Sequence, residues 1–198
     1  MPESGYAAPP DPTSLILSQL AVVLGLSFIC STSGIYYSGR SGLPGLGDPR
    51  KLPRALPKLA LTAAVMGVFS YFLFDRHFIS ISPASYPENI HYILSVALKN
   101  AVTEEVILRL GITSLAVALL GSRRYGVILS ALITALFSLR YSSFIGETPV
   151  LNYIFITQVS LAFLSGLVTG YFFVTKGLIF SMTLRFILSG KLLVMALL

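Results

Sequence analysis

The chain has 198 residues, of which 55% are hydrophobic and 11% charged, and its mean hydropathy is +0.81. A soluble domain carries about 25% charged residues, so this composition excludes one and implies an integral membrane protein whose first partner is the lipid bilayer. Net charge is +6, but most basic residues fall in the segments between apolar stretches, so orientation in the membrane accounts for them and no nucleic-acid partner is implied.

Residues 1–13 are proline-rich and lack apolar periodicity. They predict a mobile tail ahead of a single transmembrane helical domain over residues 14–198, and the absence of a basic n-region argues against a cleaved signal peptide. A first span is expected at about 15–37, with the small residues 31–34 suited to helix packing. The loop 38–58 carries Arg40, Arg50, Lys51, Arg54 and Lys58 against Asp48 alone. It belongs on the cytoplasmic-type side by the positive-inside rule, where it can rest on anionic headgroups. A second span at about 59–74 leads into a near-neutral loop, 75–89, with Asp75, Arg76, His77 and Glu88. Its Ser80–Pro83 and Tyr86–Pro87 pieces favour extended or interfacial backbone.

The third apolar stretch, about 89–120, exceeds the ~20 residues a straight span needs. Tilt, a kink or an interfacial first turn must absorb the excess. A basic turn at 121–126 precedes a fourth span at about 127–141. A short loop, 142–150, leads to a fifth span at about 151–174, which contains the GxxxG spacing Gly166–Gly170. Lys176 marks the basic side again, and a sixth span covers about 178–198. The expected fold is an all-α, polytopic transmembrane bundle of about six spans. Its basic loops lie on one side and both termini on the other, in a membrane the sequence does not specify.

Within this greasy frame stand Glu104, Glu105 and Arg109. A charge at membrane depth costs about 2.5–3.5 kcal/mol on insertion scales, so it normally has a partner and marks function. Glu105 and Arg109 are four apart with the acid N-terminal, the favourable helical order. Glu104 lies about 100° round the helix and needs a partner elsewhere. At ~1.5 Å per residue it sits roughly 20 Å along its helix, close to mid-bilayer. Three other spans carry groups in want of partners: Phe137, Arg140 and Tyr141 in the fourth, Gln158 in the fifth, Arg185 and Ser189 in the sixth. The bland reading of the acids is a buried structural ion pair. The sharper one is a carboxylate pair that holds or activates water. Cys30 is the one cysteine, and His77 and His91 are the two histidines, so no metal site and no cofactor is implied.

Glu104-Glu105-x-x-x-Arg109 followed by Leu110-Gly111 resembles the EExxxR-x-G signature of the CPBP (Abi) family of membrane proteins, which includes the type II CAAX prenyl endopeptidases. Phe137 to Tyr141 is similar to the family's FxxxH, and Arg185 to Ser189 to its late histidine and asparagine. The resemblance covers about residues 92–192. It implies that a glutamate and a histidine activate water against a peptide carbonyl, and that the second histidine and the asparagine hold the oxyanion. This chain departs at each of those three positions, with Tyr141, Arg185 and Ser189. Tyrosine titrates near 10 and cannot replace imidazole as a base at neutral pH. Arginine beside an acid would keep it ionised and occupy its lone pairs.

The sequence therefore points to a CPBP-like pseudoenzyme, a scaffold or accessory subunit partnered by other membrane proteins. The alternative is a divergent CAAX-type intramembrane endopeptidase in which Glu104 and Glu105 activate water against a prenylated or membrane-bound peptide. A transport module built on buried charge is a third reading, but it should show internal repeats, and none is found.

Overall fold

The structure, a computed structural model, describes residues 12–81, 89–137 and 149–191. Most of the expected tail and of the outer loops, with Arg140 and Tyr141, lies outside the described residues. Those described form helices and the turns between them, with no strand among them. Three helices are long and apolar enough to cross a membrane: Leu17–Arg40, Pro49–Ile81 and Asn152–Lys176. The all-α helical bundle of an integral membrane protein is the result.

Helix α1 (Pro12–Arg40) ends where Gly42 and Gly45 turn the chain at φ 61° and 57°. Asp48 then caps the next segment by accepting from the Arg50 N–H at 3.0 Å. Helix α2 occupies residues 52–81, longer at both ends than the expected 59–74. Proline does not delay its start, because a residue in the first turn has no N–H partner to lose and Pro57 alone lies inside. Its end is extended because Asp75 is no loop residue. It is buried in a π-helical turn, Tyr71–Asp75, with partners of its own.

Helix α3 spans residues 90–120. Asn89 caps it by accepting from the His91 N–H at 2.8 Å, and Gly121 ends it in the left-handed region at φ 64°. Two π-helical segments, Asn100–Glu104 and Val106–Thr113, interrupt it. Their i→i+5 turns are wider than α turns. They place more residues per unit length, which is how a stretch too long for a straight span is accommodated. Helices α4 (Arg123–Leu136), α5 (Pro149–Lys176) and α6 (Leu178–Ser189) follow.

Helix α3 is central, packed against α1, α4 and α6, while α2 packs on α6 and α4 on α5. Close approach depends on small residues. A side chain at Gly34 would strike the backbone of Leu110, and one at Gly111 would meet Cys30 at 2.8 Å. The GxxxG pair is used as its spacing suggests, with Gly166 against Ala131 and Gly170 against Val127. One apolar cluster joins Leu59 and Ala63 of α2 to Phe172 of α5 and to Phe180 and Leu184 of α6. Leu24 and Phe28 of α1 remain exposed, as lipid-facing side chains should.

The three basic turns meet at one end of the bundle. Arg123 Nη2 donates to the Gly42 carbonyl at 2.8 Å. The N–H groups of Leu178 and Ile179 donate to Gly45 and Leu46 at 2.9 and 3.1 Å.

Candidate functional site

The acids of α3 part company. Glu105 and Arg109 are buried, with side chains 2% and 1% exposed, and Arg109 Nε stands 3.4 Å from Glu105 Oε2. The rest of the guanidinium turns to α4, where Nη1 donates to Ser130 Oγ and Nη2 to Thr134 Oγ1, the latter at 3.2 Å. Those hydroxyls are themselves held. Ser130 donates to the Leu108 carbonyl and Thr134 to the Ser130 carbonyl, at 3.1 and 2.8 Å. The guanidinium thus has an ion-pair partner on its own helix and two hydroxyl acceptors on the next, while Nε makes no hydrogen bond among the described residues. It ties α3 to α4, as a buried ion needs if it is not to cost several kcal/mol. Sequence reasoning passed over Ser130 and Thr134. The signal was there, since two hydroxyls four apart share one face of an otherwise apolar helix.

Glu104 faces the other way, into a partly open cavity of about 750 Å³ bounded by α2 to α6. Its missing partner is Arg185, whose Nη2 donates to Glu104 Oε2 at 2.7 Å and whose Nη1 donates to Ser165 Oγ on α5 at 3.0 Å. Phe137, Gln158 and Ser189 also line the cavity. Of the motif-equivalent positions, Arg185 meets Glu104, Phe137 and Ser189 line the same cavity, and Tyr141 is outside the described residues. His77 and His91 are exposed and do not line the cavity. His77 is instead edge-on to Tyr153, ring centroids 5.4 Å apart.

A second ion pair stands in the same cavity. Lys191 Nζ reaches Asp75 Oδ2 at 2.8 Å and Oδ1 at 3.1 Å, and also donates to Ser70 Oγ. Ser70 Oγ lies 2.9 Å from Asp75 Oδ2. Both cavity acids, Asp75 and Glu104, close a π-helical segment, and both take their cation from the C-terminal part of α6 or the residues just after it. π-Helical turns recur at functional sites. The residues lining the cavity come from the half of the bundle away from the basic turns.

The arrangement can hold charge in a greasy wall and still leave polar atoms facing an open space. A family model described as Type II CAAX prenyl endopeptidase, Rce1-like, matches residues 86–190, just over half of the chain. No curated protein and no solved structure matches it. The matched stretch runs from just before α3 to the end of α6 and so contains both acids of the EExxxR motif and the arginine that meets the first of them. The chain belongs to the Rce1-like family of type II CAAX prenyl endopeptidases.

Proposed function

We propose that this chain is a catalytically degenerate member of its family, a single domain over residues 14–198 that serves as a scaffold or accessory subunit of a membrane complex. The observation that carries the reading is the 2.7 Å contact between Arg185 and Glu104, at the place where the family resemblance calls for a histidine. A general base works when its pKa lies near the working pH. A guanidinium stays charged throughout and here occupies one carboxylate oxygen of Glu104, where the family resemblance would place a group able to take up and release a proton. With Glu105 committed to Arg109, neither acid is left with a group that can relay a proton. The site then acts as a set of charged cross-links, α3 to α4 and α3 to α6.

One observation favours a second reading, a divergent endopeptidase. Glu104 is open to a cavity large enough for a peptide segment. Purified full-length protein, incubated with a prenylated CAAX peptide, separates the two. The scaffold reading expects no cleavage above a blank. Cleavage that disappears in Glu104→Gln, in protein melting at the wild-type temperature, would overturn it.

We further propose that the three basic turns face the cytoplasmic-type side, that the chain crosses the bilayer six times, and that the cavity half therefore lies towards the opposite leaflet.

A further inference from the structure

Among the described residues, the cavity holds four charges that nothing in the scaffold reading uses as a ligand site, and their sum is zero: Glu104 and Asp75 against Arg185 and Lys191. The donors and acceptors of the Glu104–Arg185 pair are not all spent, whereas Lys191 gives its three N–H donors to Ser70 and to both oxygens of Asp75. Arg185 has five N–H donors. It gives one to Ser165 and one to Glu104, and its Nε has no acceptor among the described residues. Glu104 commits Oε2 alone, and its side chain is 37% exposed. Lys191 is 26% exposed, whereas Asp75 behind it is 3% exposed. What faces the cavity is thus one carboxylate oxygen of Glu104 and the uncommitted N–H groups of Arg185, while the Lys191 ammonium is already bonded to Asp75 behind it. The remaining wall is largely apolar, with Phe74, Val96, Ile107 and Leu161.

A ligand with a lone charge, entering a cavity whose described charges already cancel, would find no counter-charge left over for it. A ligand with both signs needs none. We infer that the cavity binds a zwitterionic amphiphile of the phospholipid type: an anionic phosphate on the uncommitted N–H groups of Arg185, an ammonium group on the free oxygen of Glu104, and acyl chains along the apolar wall. On the orientation proposed above, the cavity half also looks away from the leaflet that carries the anionic lipids. The inference goes beyond the scaffold reading and needs only the two ion pairs, so it stands or falls independently of peptide cleavage.

Full-length protein in an uncharged detergent, titrated by native mass spectrometry with short-chain phosphatidylcholine, phosphatidylglycerol and diacylglycerol, tests it. Wild-type protein should bind one phosphatidylcholine at a concentration about tenfold lower than either competitor, a tenfold ratio corresponding to about 1.4 kcal/mol. Glu104→Gln removes the ammonium's partner and leaves a net cation, so the preference should pass to phosphatidylglycerol. The double change Glu104→Gln with Arg185→Gln restores neutrality and guards against misfolding of the single variant. It should lose the phosphatidylcholine complex without gaining the anionic one. Water-soluble glycerophosphocholine that competes as well as the lipid would show that the headgroup alone is the ligand and overturn the amphiphile. Preference for phosphatidylglycerol or diacylglycerol in the wild type, or selectivity unmoved by Glu104→Gln, would overturn the inference outright, as would displacement of the lipid by a prenylated peptide that the variants bind equally well.

Discussion

The two arginines of the site differ in what their loss should do. Arg109 is buried with Glu105, so Arg109→Met strands a carboxylate in the interior. About 3–5 kcal/mol is the usual cost of breaking a buried pair. Arg185 and Glu104 are partly open, and Arg185→Met should cost about 1–3 kcal/mol, between the values for exposed and buried pairs. Thermal melting in detergent should rank the two in that order. Adding Glu104→Gln to Arg185→Met should recover much of the smaller loss, because no lone charge remains. A larger destabilisation from Arg185→Met than from Arg109→Met would contradict the burial argument. Much of this was legible from residue types and α-helical spacing. The Glu105–Arg109 pair follows from i,i+4 geometry, and the want of a partner for Glu104 led to Arg185. The Asp75 site was not legible, for a definite reason. Ser70 and Asp75 are five apart, which puts them on different faces of an α-helix but brings them together across a π turn. Thr113 donating to the Leu108 carbonyl at 2.8 Å is the same register elsewhere.

Between helices, the decisive contacts are glycines against backbone. A Cβ at Gly166 would lie 2.8 Å from Ala131 Cα, so α4 and α5 must move apart to admit it. Gly166→Ala should lower stability by about 1–3 kcal/mol, the range for overpacking. Gly67, in the middle of α2, has open space around it. Gly67→Ala should be neutral or stabilising by up to about 1 kcal/mol. Melting temperatures of the two variants should therefore move apart, and a loss at Gly67 equal to that at Gly166 would refute the packing account. Helix existence was readable from hydropathy in every case, but helix ends were not. The prolines at 49 and 53 look like breakers in a sequence, yet they sit in first turns that need no N–H. Asp75 looks like a loop residue until Lys191, 116 positions away, is placed beside it.

For the molecule as a whole, the distribution of charge and the contacts agree. The basic turns that composition assigns to one side touch one another through Arg123 and Gly42 and through Gly45 and Leu178. On a background without Cys30, cysteines at Arg50 and Arg124, both exposed, should react with a membrane-impermeant maleimide from the same side in sealed vesicles. A cysteine at Glu3 should react from the other. Opposite labelling of Arg50→Cys and Arg124→Cys would break the topology. Protection of Glu3→Cys together with them would require an even number of crossings, or none, between residues 3 and 50 and so remove α1 as a single span.

The pairing of α2 with α6 has a consequence in time. Asp75 leaves the ribosome 116 residues before Lys191. At about 5–20 residues per second, the wait lasts roughly 6–23 s. For that interval a carboxylate sits in a nascent membrane helix without its cation, and the apolar face of α2 around Leu59 and Ala63 has no α6 to cover it. Quality control therefore has a long window in which to seize the half-made protein. Chains stalled at about residue 180 should turn over faster in a pulse-chase than the finished product, and Asp75→Asn should lengthen their half-life.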